Sequence, residues 1–138
     1  MFEYSNIEGE DGDDTMFISA KDRKGGAYFE FQFCKNENPL EDGKVLCDEI
    51  KHWQDDSLLI DDESFDEFYK VYGFIFECAI FPNGEKGFDY CGVNYYDLET
   101  AKIIIKKCIE AMDDKYKELI DWLKIAVEKY NGFYILGL

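Results

Sequence analysis

Hydrophobic and polar positions alternate in the first part of the chain, a pattern that predicts β-strands. Segment 27–33 carries aromatic residues at every second position, as expected for a half-buried strand. These residues are Phe29, Phe31 and Phe33. The apolar run 15–20 precedes it, and the loop 23–26 between them ends in two glycines. We predict an antiparallel hairpin in which Ile18 pairs with Phe31, because this register places apolar residues on one side.

The middle of the chain has a mixed pattern. Turn residues occur at 38–39 and 42–43, and the apolar residues of 44–54 follow helical spacing, which predicts a short helix there. Ser64 and Glu67 have the spacing of a capping box, so a brief helix is expected over 65–71, with an extended conformation as the alternative.

A second hairpin is predicted after this region. Segment 74–81 is apolar enough for a buried strand, 82–87 has turn chemistry, and 88–94 would return as the partner strand. In this pairing Cys78 and Cys91 face each other. Two core thiols and a disulfide are both open interpretations.

The last third predicts two helices and a strand. Asp97 is a suitable N-cap for a helix over 98–112, and a second helix is expected over 115–130. Asn131-Gly132 is typical of a left-handed helix stop, and the apolar segment 133–136 would dock as a final strand. The pattern indicates a single domain, 1–138, of α+β class: a mostly antiparallel sheet of about five or six strands, two C-terminal helices on one face, and a short extra helix.

Composition supports a folded domain. Hydrophobic residues make up 46% of the 138 residues and aromatic residues 17%, which provides a core despite a net charge of −16. The five cysteines show no CxxC spacing, so reduced thiols and a cytoplasmic location are expected. No secretory signal or membrane-spanning stretch is evident in the sequence.

The negative charge is concentrated in the part predicted as sheet. Residues 97–130 hold eight acidic residues and seven lysines, whereas residues 1–96 hold 23 acidic and eight basic residues. One acidic run lies within 8–14. A second contains no basic residue and consists of Asp55, Asp56, Asp61, Asp62, Glu63, Asp66 and Glu67. This crowding costs folding free energy through repulsion. It indicates either a solvated surface or a binding surface for a cationic partner.

Such a surface excludes some partners. Nucleic acids and anionic membranes require patches of Lys and Arg, and the chain contains a single arginine, Arg23. A basic protein is the partner that fits, and long-range attraction would accelerate its binding. Tyr95 and Tyr96 are candidate exposed anchors in such an interface, or a hydrophobic contact at the helix start. The oligomeric state is not predicted.

The sequence contains few candidates for catalytic or metal-binding residues. His52 is the only histidine, and Cys47 lies five residues before it, but no oxyanion or orienting motif accompanies them. Cysteine and histidine spacing for zinc is absent, and the acidic run within 8–14 does not fit an EF-hand. We therefore predict no metal site, no cofactor and no enzymatic activity. A hydrolase using two carboxylates remains an alternative.

The overall profile is small, acidic, rich in aromatic residues, richer in lysine than arginine, and without a catalytic motif. This profile resembles that of the immunity proteins with which bacteria neutralise their own toxins in the cytosol. The resemblance is one of composition and implies a non-enzymatic inhibitor of a basic toxin domain, such as a nuclease. The alternative is an accessory or regulatory module that binds a basic subunit of a cytosolic assembly.

Overall fold

The computed structural model describes residues 17–23, 25–47, 50–111 and 116–137. Its strands are β1 (Ile18–Ser19), β2 (Tyr28–Phe33), β3 (Leu40–Glu41), β4 (Lys44–Val45), β5 (Leu58–Asp61), β6 (Ala79–Ile80), β7 (Lys86–Gly87), β8 (Val93–Tyr96) and β9 (Phe133–Leu136). Its helices are α1 (Asp62–Phe76), α2 (Leu98–Ala111) and α3 (Lys117–Lys129), and a short 3₁₀ turn covers Ala20–Asp22.

Seven strands form one antiparallel sheet in the order β1-β5-β2-β9-β8-β6-β7, and β3 and β4 form a separate hairpin. The predicted α+β class is confirmed, with more strands than expected. The C-terminal strand β9 lies in the centre of the sheet, between β2 and β8. The segment 133–136 therefore docks as predicted.

The helices cover one face of the sheet. The alternate phenylalanines of β2 point to this face and contact buried residues of all three helices. The helical contributors include Phe65, Phe68, Phe76, Ala101, Ile104, Leu119, Trp122 and Leu123. On the other face, β2 presents Glu30 and Gln32, and a smaller apolar cluster surrounds Tyr95 and Tyr134. The β3–β4 hairpin contributes Val45 to that cluster.

The predicted pairing of 15–20 with 27–33 is wrong. Strand β5 lies between β1 and β2, so that Ile18 pairs with Leu59 and Phe31 pairs with Leu58. Strand β5 is apolar at three consecutive buried positions, which is typical of a strand covered on both faces. Residues 15 and 16 lie outside the described part of the chain.

The helix predicted for 44–54 is also wrong in its described parts, 44–47 and 50–54. Asp42 and Gly43 both have positive φ, 54° and 77°, as a two-residue type I′ turn requires. Glu41 then pairs with Lys44, so the chain forms the β3–β4 hairpin at this point. Helical spacing of apolar residues was therefore misleading, because local turn chemistry determined the conformation.

Helix α1 is longer than predicted. It begins at Asp62 because Asp61, and not Ser64, is the N-cap: Asp61 Oδ1 accepts a hydrogen bond from the Ser64 backbone N–H at 2.7 Å. It ends at Phe76, so the strand predicted for 74–81 is wrong except at Ala79–Ile80. Periodicity alone does not separate a short apolar strand from a buried helix segment.

The hairpin that follows is shorter than predicted. Strand β6 pairs with β7, where Ala79 lies opposite Gly87, whereas β8 begins only at Val93 and pairs along the other edge of β6. The predicted partner strand 88–94 is thus wrong in position. Cys78 and Cys91 do not face each other in this pairing, and both are free and exposed.

The C-terminal predictions are largely confirmed. Asp97 Oδ1 accepts the Thr100 N–H at 2.9 Å, which caps α2, and α3 follows within the predicted range. Gly132 has φ +89°, and a Cβ at this position would collide with the Tyr96 carbonyl oxygen. Glycine is therefore required where the chain turns from α3 into β9.

Candidate functional site

Strand β5 divides the seven carboxylates of the predicted binding surface into two groups. Asp55 and Asp56 precede the strand. The other five lie at its last residue and in the helix that follows, and they form what we call the acidic start of α1: Asp61, Asp62, Glu63, Asp66 and Glu67. Four extended residues span roughly 13 Å, so the seven do not form one cluster. The acidic run within 8–14 lies outside the described residues.

Asp56 is engaged within the chain. Lys35 Nζ lies 2.8 Å from Asp56 Oδ2, and Trp122 Nε1 donates a hydrogen bond to the Asp56 carbonyl oxygen at 2.9 Å. These contacts connect the start of β5 to the end of β2 and to α3. Asp56 therefore has a role in the fold, and we do not include it in the candidate surface.

The acidic start of α1 is exposed throughout. Asp61 caps the helix, and Asp62 and Glu63 lie in the first turn, where the helix dipole favours negative charge. This electrostatic explanation does not extend to Asp66 and Glu67, because the dipole effect decays within the first turn.

Asp66 and Glu67 make no ion pair within 4 Å with any lysine or arginine of the described residues. Each also lies one helical turn after another acid, which gives like-charge pairs of Asp62 with Asp66 and Glu63 with Glu67. Such pairs destabilise a helix by about 0.2–0.5 kcal/mol each. Lys70, one turn after Asp66, offsets part of this cost, although it forms no ion pair within 4 Å with either carboxylate.

Tyr95 and Tyr96 are not exposed anchors, which corrects that prediction. Tyr95 is 3% exposed and donates its hydroxyl to the Asn131 carbonyl oxygen at 2.8 Å. Tyr96 is fully buried and donates to the Phe76 carbonyl oxygen at 2.7 Å. Burial raises the pKa of both phenols above the ordinary tyrosine value. Alternation in β8 places them on opposite faces, and each face is covered.

A different aromatic group reaches the surface beside the acidic start of α1. Tyr69, Phe88 and Tyr90 contact one another, and Tyr90 is 38% exposed. Loss of hydration raises the pKa of Tyr90, and the negative charge of Asp66 raises it further. Tyr69 is far in sequence from Phe88 and Tyr90, so no local pattern could have indicated the group.

Glu30 is a buried carboxylate that the sequence analysis did not single out. It is fully buried on the loop-covered face of β2 and accepts hydrogen bonds from four groups. The donors are the backbone N–H groups of Trp53 and Gln54, the hydroxyl of Ser57 at 2.6 Å and Gln32 Nε2 at 3.0 Å. A charged residue within a phenylalanine-rich strand was the available signal. Glu30 fixes the loop 51–57 against the sheet.

That loop presents Trp53 at the surface. Trp53 has φ 65°, which is uncommon outside glycine, and the Glu30 contacts to its N–H hold this conformation. The guanidinium of Arg23 lies 4.6 Å from the Trp53 ring centre, a cation–π contact made with the only arginine of the chain.

His52 and Cys47 line one small cavity of about 170 Å³. His52 Nδ1 lies 3.3 Å from Glu30 Oε1, while the Cys47 thiol donates weakly to the Val45 carbonyl oxygen at 3.8 Å. The imidazole is thus directed to a carboxylate that already accepts several hydrogen bonds. This geometry does not form the nucleophile–base pair considered from the sequence.

A larger cleft of about 580 Å³ opens beside the end of β2. Its lining contains two lysines, Lys35 and Lys51, and no carboxylate among the described residues. Glu30 is the one buried acidic residue in the described ranges. The two converging buried carboxylates that a glycosidase-type hydrolase requires therefore do not occur in this part of the chain.

No group of three metal-binding side chains occurs among the described residues. None of the helices in these ranges is long and apolar enough to cross a membrane. Comparisons of the chain with protein-family models, with curated proteins and with solved structures find no match.

Proposed function

We propose that this chain is a non-enzymatic binding protein that neutralises a basic protein, as an immunity protein neutralises a bacterial toxin domain in the cytoplasm. The single observation that supports this is the acidic start of α1, where exposed carboxylates carry no described ion pair. A basic nuclease domain is a suitable target, because its substrate groove is positively charged.

The energetics favour a binding role for the second turn of the helix. Asp66 and Glu67 repel the acids one turn earlier and gain little from the helix dipole. A cationic protein that approaches this surface would be attracted by the carboxylates, and this attraction would offset the repulsion among them. Clustered charge of one sign raises association rates by factors of 10 to 1,000 at low ionic strength.

The test begins with recovery of the partner. The tagged chain is used as bait at low salt in the cell that encodes it, and the proteins eluted by rising salt are identified. We expect a basic protein that forms a one-to-one complex when purified, and whose own activity stops at one equivalent of the chain. Recovery of a basic subunit whose activity is unaffected would favour the accessory-module alternative.

Charge-reversal variants then test whether the acidic start of α1 contacts the partner. The variant Asp66→Lys/Glu67→Lys is compared with Asp121→Lys/Glu128→Lys, which changes the net charge equally at exposed positions of α3. We expect the first variant to associate about tenfold more slowly with the purified partner and with a weaker salt dependence. The α3 variant should associate nearly as the wild type does. Equal association rates for the wild type and the α1 variant would exclude this surface.

A further inference from the structure

Three aromatic rings border the acidic start of α1, and we call them the aromatic platform. They belong to Tyr69, Phe88 and Tyr90, with ring centres 5.3–5.5 Å apart. The buried ring of Phe65 lies beneath them, 5.5 Å from Phe88 and 5.8 Å from Tyr90. Tyr90 is exposed, and Tyr69 and Phe88 are half-buried. The platform is therefore a partly exposed aromatic surface supported from below, with Tyr90 as its most exposed ring.

Negative charge adjoins the platform. Asp66 lies one helical turn before Tyr69 on α1, and the ring centre of Tyr69 is 5.3 Å from that of Tyr90. Loss of hydration raises the pKa of Tyr90, and the negative charge of Asp66 adds to this effect. The pKa of Tyr69 is raised, first by loss of hydration and then by the negative charge of Glu77. The ring faces carry the negative side of the aromatic quadrupole, so rings and carboxylates together favour a cation.

No described lysine or arginine lies over the platform. The cation–aromatic contacts among the described residues are elsewhere: Arg23 over Trp53 at 4.6 Å, and Lys35 over Tyr130 at 5.8 Å from the ring centre. The Trp53 site shows how a guanidinium is held by an exposed ring in this same protein. The platform offers comparable chemistry without a cation from the described residues.

We propose that the aromatic platform, with Asp66 at its border, accepts an arginine side chain of the basic protein partner. This rests on the proposed function and specifies its contact chemistry. A planar guanidinium can stack on a ring while it donates to a carboxylate, and it is less strongly hydrated than the ammonium of lysine. An apolar partner segment would instead remove water from Asp66 without replacing its hydrogen bonds.

The experiment uses the full chain with two synthetic probes, a hexa-arginine and a hexa-lysine peptide, titrated by calorimetry at low salt. We expect the wild type to bind the arginine peptide more tightly. Tyr90→Leu should weaken arginine binding about two- to fivefold, since an exposed cation–π contact is lost. Tyr90→Phe should bind as the wild type does, because it retains the ring face.

Asp66→Asn provides a variant that leaves the aromatic packing in place, and it should also weaken arginine binding about two- to fivefold. Asp121→Asn on α3 is the matched control and should change little. In the wild type, the ring protons of Tyr69 and Tyr90 should shift in NMR spectra on addition of the arginine peptide. Unshifted ring protons, or unchanged arginine binding by both Tyr90→Leu and Asp66→Asn, would overturn the proposal.

The outcome separates the platform from the proposed function. If Asp66→Lys/Glu67→Lys weakens both peptides equally while Tyr90→Leu weakens neither, the acidic surface stands and the platform is refuted. If the arginine peptide binds at the platform but the chain inhibits no basic protein that it captures, the platform is an arginine site and the neutralising role is refuted.

Discussion

Glu30 and the acidic start of α1 show two opposite uses of carboxylates in one chain. Glu30 is fully buried, and backbone and side-chain donors occupy its oxygens. Asp66 and Glu67 are exposed and have no described ion pair. The first arrangement fixes a loop to the sheet, whereas the second adds repulsion without adding a contact. A high acid content therefore does not by itself indicate function, and the environment of each carboxylate has to be known.

The largest effect is expected at Glu30. Glu30→Leu removes the acceptor for the Trp53 and Gln54 N–H groups and for the Ser57 hydroxyl, which leaves buried donors unsatisfied. We expect the free energy of unfolding to fall by about 3–5 kcal/mol. Urea denaturation followed by far-UV circular dichroism measures this loss, and Glu67→Gln serves as the exposed control, with a change within about 0.5 kcal/mol.

A smaller destabilisation by Glu30→Gln should accompany this result, because the amide retains one acceptor oxygen. Tryptophan fluorescence should also change in Glu30→Leu, since Trp53 depends on Glu30 for its backbone conformation. If Glu30→Leu were as stable as Glu67→Gln, the contrast between the buried and exposed carboxylates would be wrong.

Asp61 lies between the two cases, since it is exposed and acidic yet caps α1. Asp61→Ala should lower the free energy of unfolding by about 1 kcal/mol through loss of the cap. Ser64→Ala should cost less, because the Ser64 hydroxyl lies 3.3 Å from Asp61 Oδ2 and caps no backbone group of the helix start. Thermal unfolding of both variants measures the two losses of stability. A larger loss for Ser64→Ala would restore the capping box predicted from the sequence.

The sequence predicted correctly those elements whose signals are local. Asp97 as the α2 cap, Gly132 as a left-handed stop and the apolar segment 133–136 each depend on adjacent residues, and each is confirmed. Two errors, at 44–54 and 74–81, arose where apolar periodicity was ambiguous, and another arose where distant segments decide the pairing. Strand β5 takes the place beside β2 that 15–20 was expected to occupy, and no local pattern in either segment encodes that competition.

The charge of the candidate site could be predicted from the sequence, but the spatial arrangement of its residues could not. The acidic residues of 61–67 were identified from their clustering along the sequence, but their separation from Asp56 depends on the length and direction of β5. The error at Tyr95 and Tyr96 arose because a strand position was taken for a loop position. The aromatic platform joins residues of α1 to residues of the β7–β8 connection, a contact that only the tertiary structure defines.

Neutralisation of the second turn should separate stability from binding. Asp66→Asn/Glu67→Gln removes the repulsion from Asp62 and Glu63, and the lost attraction to Lys70 offsets part of this gain. We therefore expect the free energy of unfolding to rise by less than about 0.5 kcal/mol at low salt, and by less still at 1 M salt. Association with a basic partner should nevertheless slow. Urea denaturation at the two salt concentrations provides the measurement.

Helix α3 provides the matched control for this prediction. Its acids lie one turn from lysines, with Lys117 before Asp121 and Lys124 before Glu128, so neutralisation removes attraction rather than repulsion. Asp121→Asn/Glu128→Gln should therefore be slightly less stable than the wild type. If both double variants changed the free energy of unfolding in the same direction, the proposed electrostatic difference between α1 and α3 would be wrong.

Glu118 provides the smallest and most specific test, because it is an α3 carboxylate that loses some of its hydration on folding. This loss raises its pKa above the ordinary glutamate value, so the folded state disfavours the ionised form. Its contribution is most favourable below the ordinary pKa and is lost as the pH rises through the raised value. Glu118→Gln should therefore gain stability relative to the wild type between pH 4 and pH 7, within about 0.5 kcal/mol. A constant difference in urea midpoint between these pH values would show that Glu118 is as well hydrated as the acids of α1.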